Sequence, residues 1–467
     1  MNNIRPTTHE KAFQINLDSQ KHGTFAEIGA GQEVVRWFFH VGGAAGTVAK
    51  TISAYDMAVS NAIYGSTDRY VSRARLVAML DREYGSLLEN LRESRGDETT
   101  FFVYANSMAT RSYSRHQDGH GWMGIRFQHE PHGIPSQILI HARMMDLENV
   151  REQEAVGILG VNLIHGAFYH HDKPNALIKS LLDGLGRERM EVDLVDFAGP
   201  IFTEVDNRLM SLELVENELT DAAMFTAGGE TVLPGDVLYK KAALVHRGTF
   251  RPITNSTLDM LERVRSTYHE SGEEGEDEPV VILEMTLRNL LAGDKVDHAD
   301  FLARADTLSV LGLDVVVSNF GHYHSAVTYL RRHTSQRIMF VMGSPNLGDL
   351  FEEKYYGDLP GGILEAMGRL FSGNVKLAVY PFQEPDSSRV TTVDNLEIPV
   401  SLRDLYSHLV VNGKIVGIRD VPEENLHMFS SGIRDLLQSG DPRWEALVPA
   451  PVVSMIKSGR LFGYSPR

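Results

Sequence analysis

The chain reads as an α/β protein in which two duplicated parallel-sheet modules follow a mixed α/β N-terminal segment. Three observations predict this. The text QILIHARMMD at 137–146, followed by LGVNLIHGAF at 159–168, is echoed by VVILEMTLRN at 280–289, followed by LGLDVVVSNF at 311–320. His-rich turns follow both, at Tyr169-His170-His171 and at His322-Tyr323-His324, and Asp236–Tyr239 and Arg403–Tyr406 each lead into an apolar run. From about Gln137, strand-like runs alternate with helical periodicity, the pattern of a parallel sheet covered by helices. Self-similarity at a long, loose period implies Rossmann-like copies packed as a pseudo-dimer, although any two strand–helix–strand segments share some of this text.

The elements follow in order. Thr24–Ile28 reads as a short strand and 31–40 as a helix that starts in glycines. Between Tyr70 and Arg95, Leu76, Met79, Leu80, Leu87, Leu88 and Leu91 recur at helical spacing on one face. Phe101–Tyr104 and Trp122–Phe127 are predicted strands around a polar loop. In the first module Ile138–Ile140, Val161–Ile164, Met190–Val195 and Ala222–Phe225 are predicted strands; in the second, Val280–Glu284, Leu313–Val317, Ile338–Met342 and Lys376–Tyr380. The acid- and glycine-rich run ending at Pro279 repels itself and cannot build a core, so it marks a linker. The expected divisions are a glycine-loop and helical segment 1–129, modules 130–268 and 280–440, linker 269–279 and a C-terminal tail 441–467.

Composition narrows the function. With 467 residues, 42% apolar and 23% charged, the chain is long enough for two or three full cores. A net charge of −17 argues against general nucleic-acid binding, which needs a basic face. There is no cysteine, which excludes disulfides, thiolate metal sites and cysteine nucleophiles and fits a cytoplasmic location. No apolar stretch suits a signal peptide or a membrane span, so neither is expected.

Several segments carry candidate chemistry. Glu27–Val34 puts Gly29 and Gly31 between a strand and a helix, where backbone amides cradle phosphate in many proteins; a tight structural turn is the alternative. Lys50 and Thr51, after the glycines at 42, 43 and 46, would line a neighbouring polar pocket with Tyr55 and Asp56, or else belong to an ordinary helix. Arg111, Arg115, His116, His120 and Arg126 concentrate cations that suit a phosphate or carboxylate, unless neighbouring acids balance them in a solvated loop. His165, His170, His171, His322 and His324 fit no metal motif, and no metal is assigned.

The segment RGTFRPIT at 247–254, continued by Asn255-Ser-Thr257, resembles the opening motif of the nicotinate-nucleotide adenylyltransferases. Gly248, Thr249, Phe250, Pro252 and Ile253 match that motif; Arg251 stands where the family has Asp, and Thr254 and Thr257 stand where it has two histidines that stabilise the phosphates in transfer. The whole chain resembles a poorly characterised bacterial family that carries the same label. The resemblance implies nucleotidyl transfer, a reaction that would call for Mg²⁺.

Two functions are therefore expected in competition. One is a cytosolic enzyme, with its catalytic residues unassigned, that binds a nucleotide or phosphorylated metabolite through Gly29, Gly31, Lys50, Thr51, Arg111, Arg115, Arg126, His141, Arg143 and His165. The other is a non-catalytic binding or assembly protein; a homo-oligomer is compatible with both. Where the first copy has His141, Arg143, Asp146 and His165, the second has Glu284, Thr286, Asn289 and Val317. This predicts an asymmetric site in the N-terminal half, with His141 and His165 as satisfied core residues the alternative.

Overall fold

The computed structural model describes residues 5–111, 118–270, 277–384, 388–426 and 430–465. It divides the chain into two units, Met1–Asp221 and Ala222–Arg467.

In the first unit, strands β1 (Lys21–Ile28), β2 (Val48–Ile52), β3 (Thr100–Ala109), β4 (Gly119–Phe127), β5 (Ser136–Met144) and β6 (Met190–Ala198) form one sheet in the order β2-β1-β3-β4-β5-β6. β1 runs parallel to β2 and β3, and the remaining pairs are antiparallel. One face carries Phe102, Phe127, Ile138, Ile140, Ala142 and Met144 into a core with the helix Asn149–Tyr169. The helix Arg73–Arg95, capped by Ser72, packs on the other face through Leu76, Met79 and Leu80. A Thr7–Glu10 capping box starts the helix Thr8–Asn16.

The second unit contains β7 (Ala222–Phe225), β8 (Thr231–Val232), β9 (Ala243–Arg247), β10 (Val280–Thr286), the hairpin β11 (Leu291–Ala292) and β12 (Lys295–Val296), β13 (Asp314–Ser318), β14 (Ile338–Gly343), β15 (Val375–Tyr380), the hairpin β16 (Phe382–Gln383) and β17 (Val390–Thr391), and β18 (Ile415–Gly417). Its main sheet has the order β18-β15-β14-β9-β10-β13-β7-β8. The six strands from β18 to β13 are parallel, and β7 and β8 extend the edge antiparallel. Ranked by sequence, the parallel strands run 6-5-4-1-2-3, the order of a doubly wound sheet.

The α/β class holds, with the doubly wound parallel sheet confined to the second unit. The duplication does not: β5 and β10 carry the paired text, yet β5 has antiparallel neighbours and β10 parallel ones. Short apolar strands followed by helices look alike in both settings because only long-range pairing distinguishes them. The boundary at Asp221/Ala222 also splits the expected 130–268 module, while most of the acidic run lies outside the described residues. Val161–Ile164 is helical, inside Asn149–Tyr169; from Ala155 to Phe168 every residue is buried, so this stretch is covered all round and shows no wet face. His170 and His171 consequently follow a helix, whereas His322 and His324 follow β13. Arg403–Tyr406 begins the helix Arg403–Val411, and the expected tail forms the helix Ala450–Gly459.

Candidate functional site

The glycine loop after β1 has the backbone of an anion cradle, with Gly29 at φ 101° and Gly31 at φ 81° ahead of the helix Glu33–Val41. Its anion position is filled by the chain itself. Glu27 is fully buried, and its carboxylate accepts from Val34 N at 3.1 Å, Val35 N at 2.9 Å and Asn106 Nδ2 at 3.1 Å. A carboxylate on the first free amides of a helix satisfies the same donors and dipole that a phosphate would.

Burial pushes the Glu27 carboxyl up to about 7, against the amides and Asn106, which favour the charged form. The folded value lies above the unfolded 4.5, so the stabilising contribution of protonation is complete below 4.5 and is lost as pH rises through 7. Relative to Glu27→Gln, which has no charge to bury, the wild type should therefore lose about 3 kcal/mol between pH 4.5 and pH 8. Urea unfolding of both proteins at the two pH values measures this; parallel curves would refute it.

Among the described residues, the candidate cations do not converge on one point. Lys50, on the edge strand β2, pairs with Glu83, whose other oxygen accepts from Tyr64 Oη at 2.9 Å. Thr51 shares that strand, and Asp56 caps the helix Met57–Tyr64 through Ala58 N and Val59 N. Arg126 is held by Asp81 and by Gln137 Oε1 at 2.8 Å. It stands six residues from His120 along β4, roughly 20 Å at strand rise. Arg111 donates its backbone N–H to buried Glu152 at 2.8 Å, and Arg115 and His116 lie outside the described residues.

His141 and Arg143 share one face of β5; Ile140 and Ala142, on the opposite face, enter the core with the helix that carries His165. His165 therefore belongs to another environment, 3.2 Å from Gln14 Oε1, where burial beside Lys11 and His170 lowers its pKa to about 4. Register puts Ile28, Ser107, Trp122 and His141 in one row, so the glycine loop and His141 stand three strands apart, roughly 14 Å. His141 does gather partners: its Nδ1 lies 2.6 Å from Asp193 Oδ1 and its Nε2 lies 3.2 Å from His120 Nδ1. Arg143 pairs with Asp118 at 3.2 Å and Glu191 at 3.5 Å. Asp193 and Glu191 were missed in the sequence; their signal was charge within an otherwise apolar strand.

A second arrangement lies in the other unit. The strand order reverses between β9 and β14, and Gly248–Thr254 leaves the carboxyl end of β9 there, where doubly wound sheets bind ligands. The loop is fixed from below. Arg304, 3% exposed, donates to the carbonyls of Thr249 at 2.9 Å and Asn289 at 2.8 Å, and its Nε donates to Asp300 at 2.7 Å. Arg251 Nε contacts the other Asp300 oxygen at 2.6 Å. Phe250 sits at φ 47°, a costly conformation for a bulky side chain that a pinned loop can hold. Beneath it, Arg247 binds Glu284 with both Nε and Nη2 at 2.9 Å, and Ser318 Oγ donates to Glu284 at 2.6 Å. The next helix, Asn255–Glu270, has its start covered: Thr257 N donates to Thr254 Oγ1 at 3.1 Å, Asn255 N to Leu447 O at 2.9 Å, and Asn255 Nδ2 to Ala446 O at 3.0 Å.

No protein-family profile and no curated protein matches the chain. Among solved structures it is similar to the Plasmodium falciparum nicotinic acid mononucleotide adenylyltransferase complexed with APC, at 11% identity and TM-score 0.31 over 48% of this chain and 98% of that one. A competence-damaged protein (CinA) superfamily protein from Klebsiella pneumoniae is similar at 12% identity and TM-score 0.27, over 35% and 99%. The competence/damage inducible protein CihA of Agrobacterium tumefaciens gives 14% identity and TM-score 0.25, over 35% and 97%. Scores this low carry no argument about function. Among the described residues, no helix is long and apolar enough to cross a membrane.

Proposed function

We propose that the chain is a cytosolic enzyme that binds a nucleotide or another phosphorylated metabolite, with nucleotidyl transfer as its reaction, at the crevice between the carboxyl ends of β9 and β14. The observation that carries this reading is the placement of Gly248–Thr254 at the reversal of a doubly wound strand order. The loop's backbone is held by Arg304, which favours a preorganised binding surface. Lys50, Arg126 and Arg143 already neutralise acids in the first unit, so they are left out of the ligand set.

The test is a thermal-shift titration with ATP and with nicotinate mononucleotide, followed by pyrophosphate release when both are present. A ligand at 100 times its dissociation constant stabilises by about 2.7 kcal/mol. Thr249 is exposed, so Thr249→Glu adds negative charge to the loop without disturbing the core. The expected result is a shift that Thr249→Glu removes and Lys50→Ala leaves intact. A shift lost in Lys50→Ala and kept in Thr249→Glu would move the site to the first unit, and no pyrophosphate release with several mononucleotides would remove nucleotidyl transfer.

A non-catalytic binding or assembly role is favoured by one specific observation: the helix starts that follow the two glycine-bearing loops are occupied, one by Glu27 and the other by Thr254, Ala446 and Leu447. On this reading no nucleotide shifts the unfolding temperature.

A further inference from the structure

His120 and His141 sit on adjacent antiparallel strands, and each is placed by the register. Trp122 faces His141 across β4 and β5, and His120 faces Arg143. Between β5 and β6 the register slips at His141/Ala142, and Asp193 is the extra residue of that irregularity. Such irregularities redirect a side chain, and here the Asp193 carboxylate meets His141 Nδ1 at 2.6 Å with both side chains buried. An ionised carboxylate accepts only, so it holds the proton of His141 on Nδ1 and leaves the lone pair on Nε2. His141 Nε2 lies 3.2 Å from His120 Nδ1, so one small ion seated beside the two nitrogens can bridge them in place of a hydrogen bond between the rings.

We propose that His120 Nδ1 and His141 Nε2 are the protein ligands of a divalent transition-metal ion of the zinc class, with Asp193 as the positioning residue behind His141. Two imidazole nitrogens bound to one ion at about 2.1 Å stand about 3.0–3.4 Å apart for bond angles between octahedral and tetrahedral. The observed separation falls inside that interval before any movement. A metal-bound histidine characteristically donates its other N–H to a carboxylate, which fixes the tautomer and raises its basicity, as Asp193 does here. Imidazole selects zinc, copper or nickel over magnesium or calcium. Arg143 is the nearby cation that opposes this, and its charge is compensated by Asp118 and Glu191. Two protein nitrogens leave the remaining positions to water, so the ion would be open to a further ligand. The site is distinct from the Gly248–Thr254 loop and does not rest on the nucleotide reading.

The experiment uses the full chain after treatment with a chelator, titrated with Zn²⁺ by calorimetry and with Co²⁺ by visible absorption. The chain has 19 histidines, so the difference between wild type and variant locates the site. His120 is exposed, and His120→Ala should fold normally while losing at least tenfold in affinity and changing the Co²⁺ bands. Asp193→Asn should weaken binding about ten- to a hundredfold. Identical isotherms for wild type and His120→Ala, or no Zn²⁺ uptake by the wild type, would overturn the proposal. Loss in His120→Ala with none in Asp193→Asn would overturn the paired geometry, because His120 would then be using other ligands.

Discussion

Glu284→Ala should lower the unfolding free energy by about 3–5 kcal/mol, since removing one partner of a buried pair leaves the other charge uncompensated. Arg247 and Glu284 are 10% and 3% exposed at the side chain, the guanidinium lies 4.4 Å from the centroid of the Tyr323 ring, and Ser318 donates to the same carboxylate. Arg247, Glu284 and Ser318 stand toward the carboxyl ends of β9, β10 and β13, next to the Gly248–Thr254 loop, and Tyr323 begins the helix that follows β13. Urea unfolding measures the loss. Replacing both partners together, Arg247→Met with Glu284→Leu, should restore much of it, because the pair repays its desolvation only in part. A single-variant effect below about 1 kcal/mol would mean that the pair is open to solvent in solution. Aligned with His141 in the supposed copies, Glu284 falls outside the asymmetric site that the paired text predicts. Since the copies are not equivalent in fold, that inference has no basis.

Gly29→Ala should cost about 4 kcal/mol, combining a left-handed backbone that L side chains avoid with a steric collision that must move the chain. At φ 101°, an added Cβ would stand 1.7 Å from the carbonyl oxygen of Met108, which is backbone on a neighbouring strand. Gly31 meets nothing closer than the flexible Glu33 side chain at 3.7 Å, so Gly31→Ala should cost only the backbone term, about 1–2 kcal/mol. The contrast is itself the test. Equal costs at the two positions would show that the close approach to β3 is absent. A phosphate-cradling loop needs its glycines for access by the ligand, and Gly29 is needed for packing against β3.

Much of the local structure was legible in the text. The helix within Tyr70–Arg95 announced itself by Leu76, Met79, Leu80 and Leu87 at helical spacing, because one face is buried and the other is wet. Val280–Thr286, Asp314–Ser318, Ile338–Gly343 and Val375–Tyr380 showed as apolar runs for the complementary reason, burial on both faces of a parallel sheet. The helix Asn149–Tyr169 defeated the same reasoning. Buried all round, it left no periodic face, and its Val161–Ile164 stretch could not be told from a strand.

The sequence by itself determined the α/β class and the position of most strands of the two main sheets. Tertiary structure decided which strands pair, and so which candidate residues can act together. His141 and His165 are separated by the sheet, Arg126 and His120 lie at opposite ends of one strand, and Glu27 fills the cradle formed behind Gly29 and Gly31. The physical reason is that burial and helical spacing are local properties written along the chain. Strand register and the pairing of charges depend on contacts between distant segments: Asp193 reaches His141 across 52 positions and Glu284 reaches Arg247 across 37.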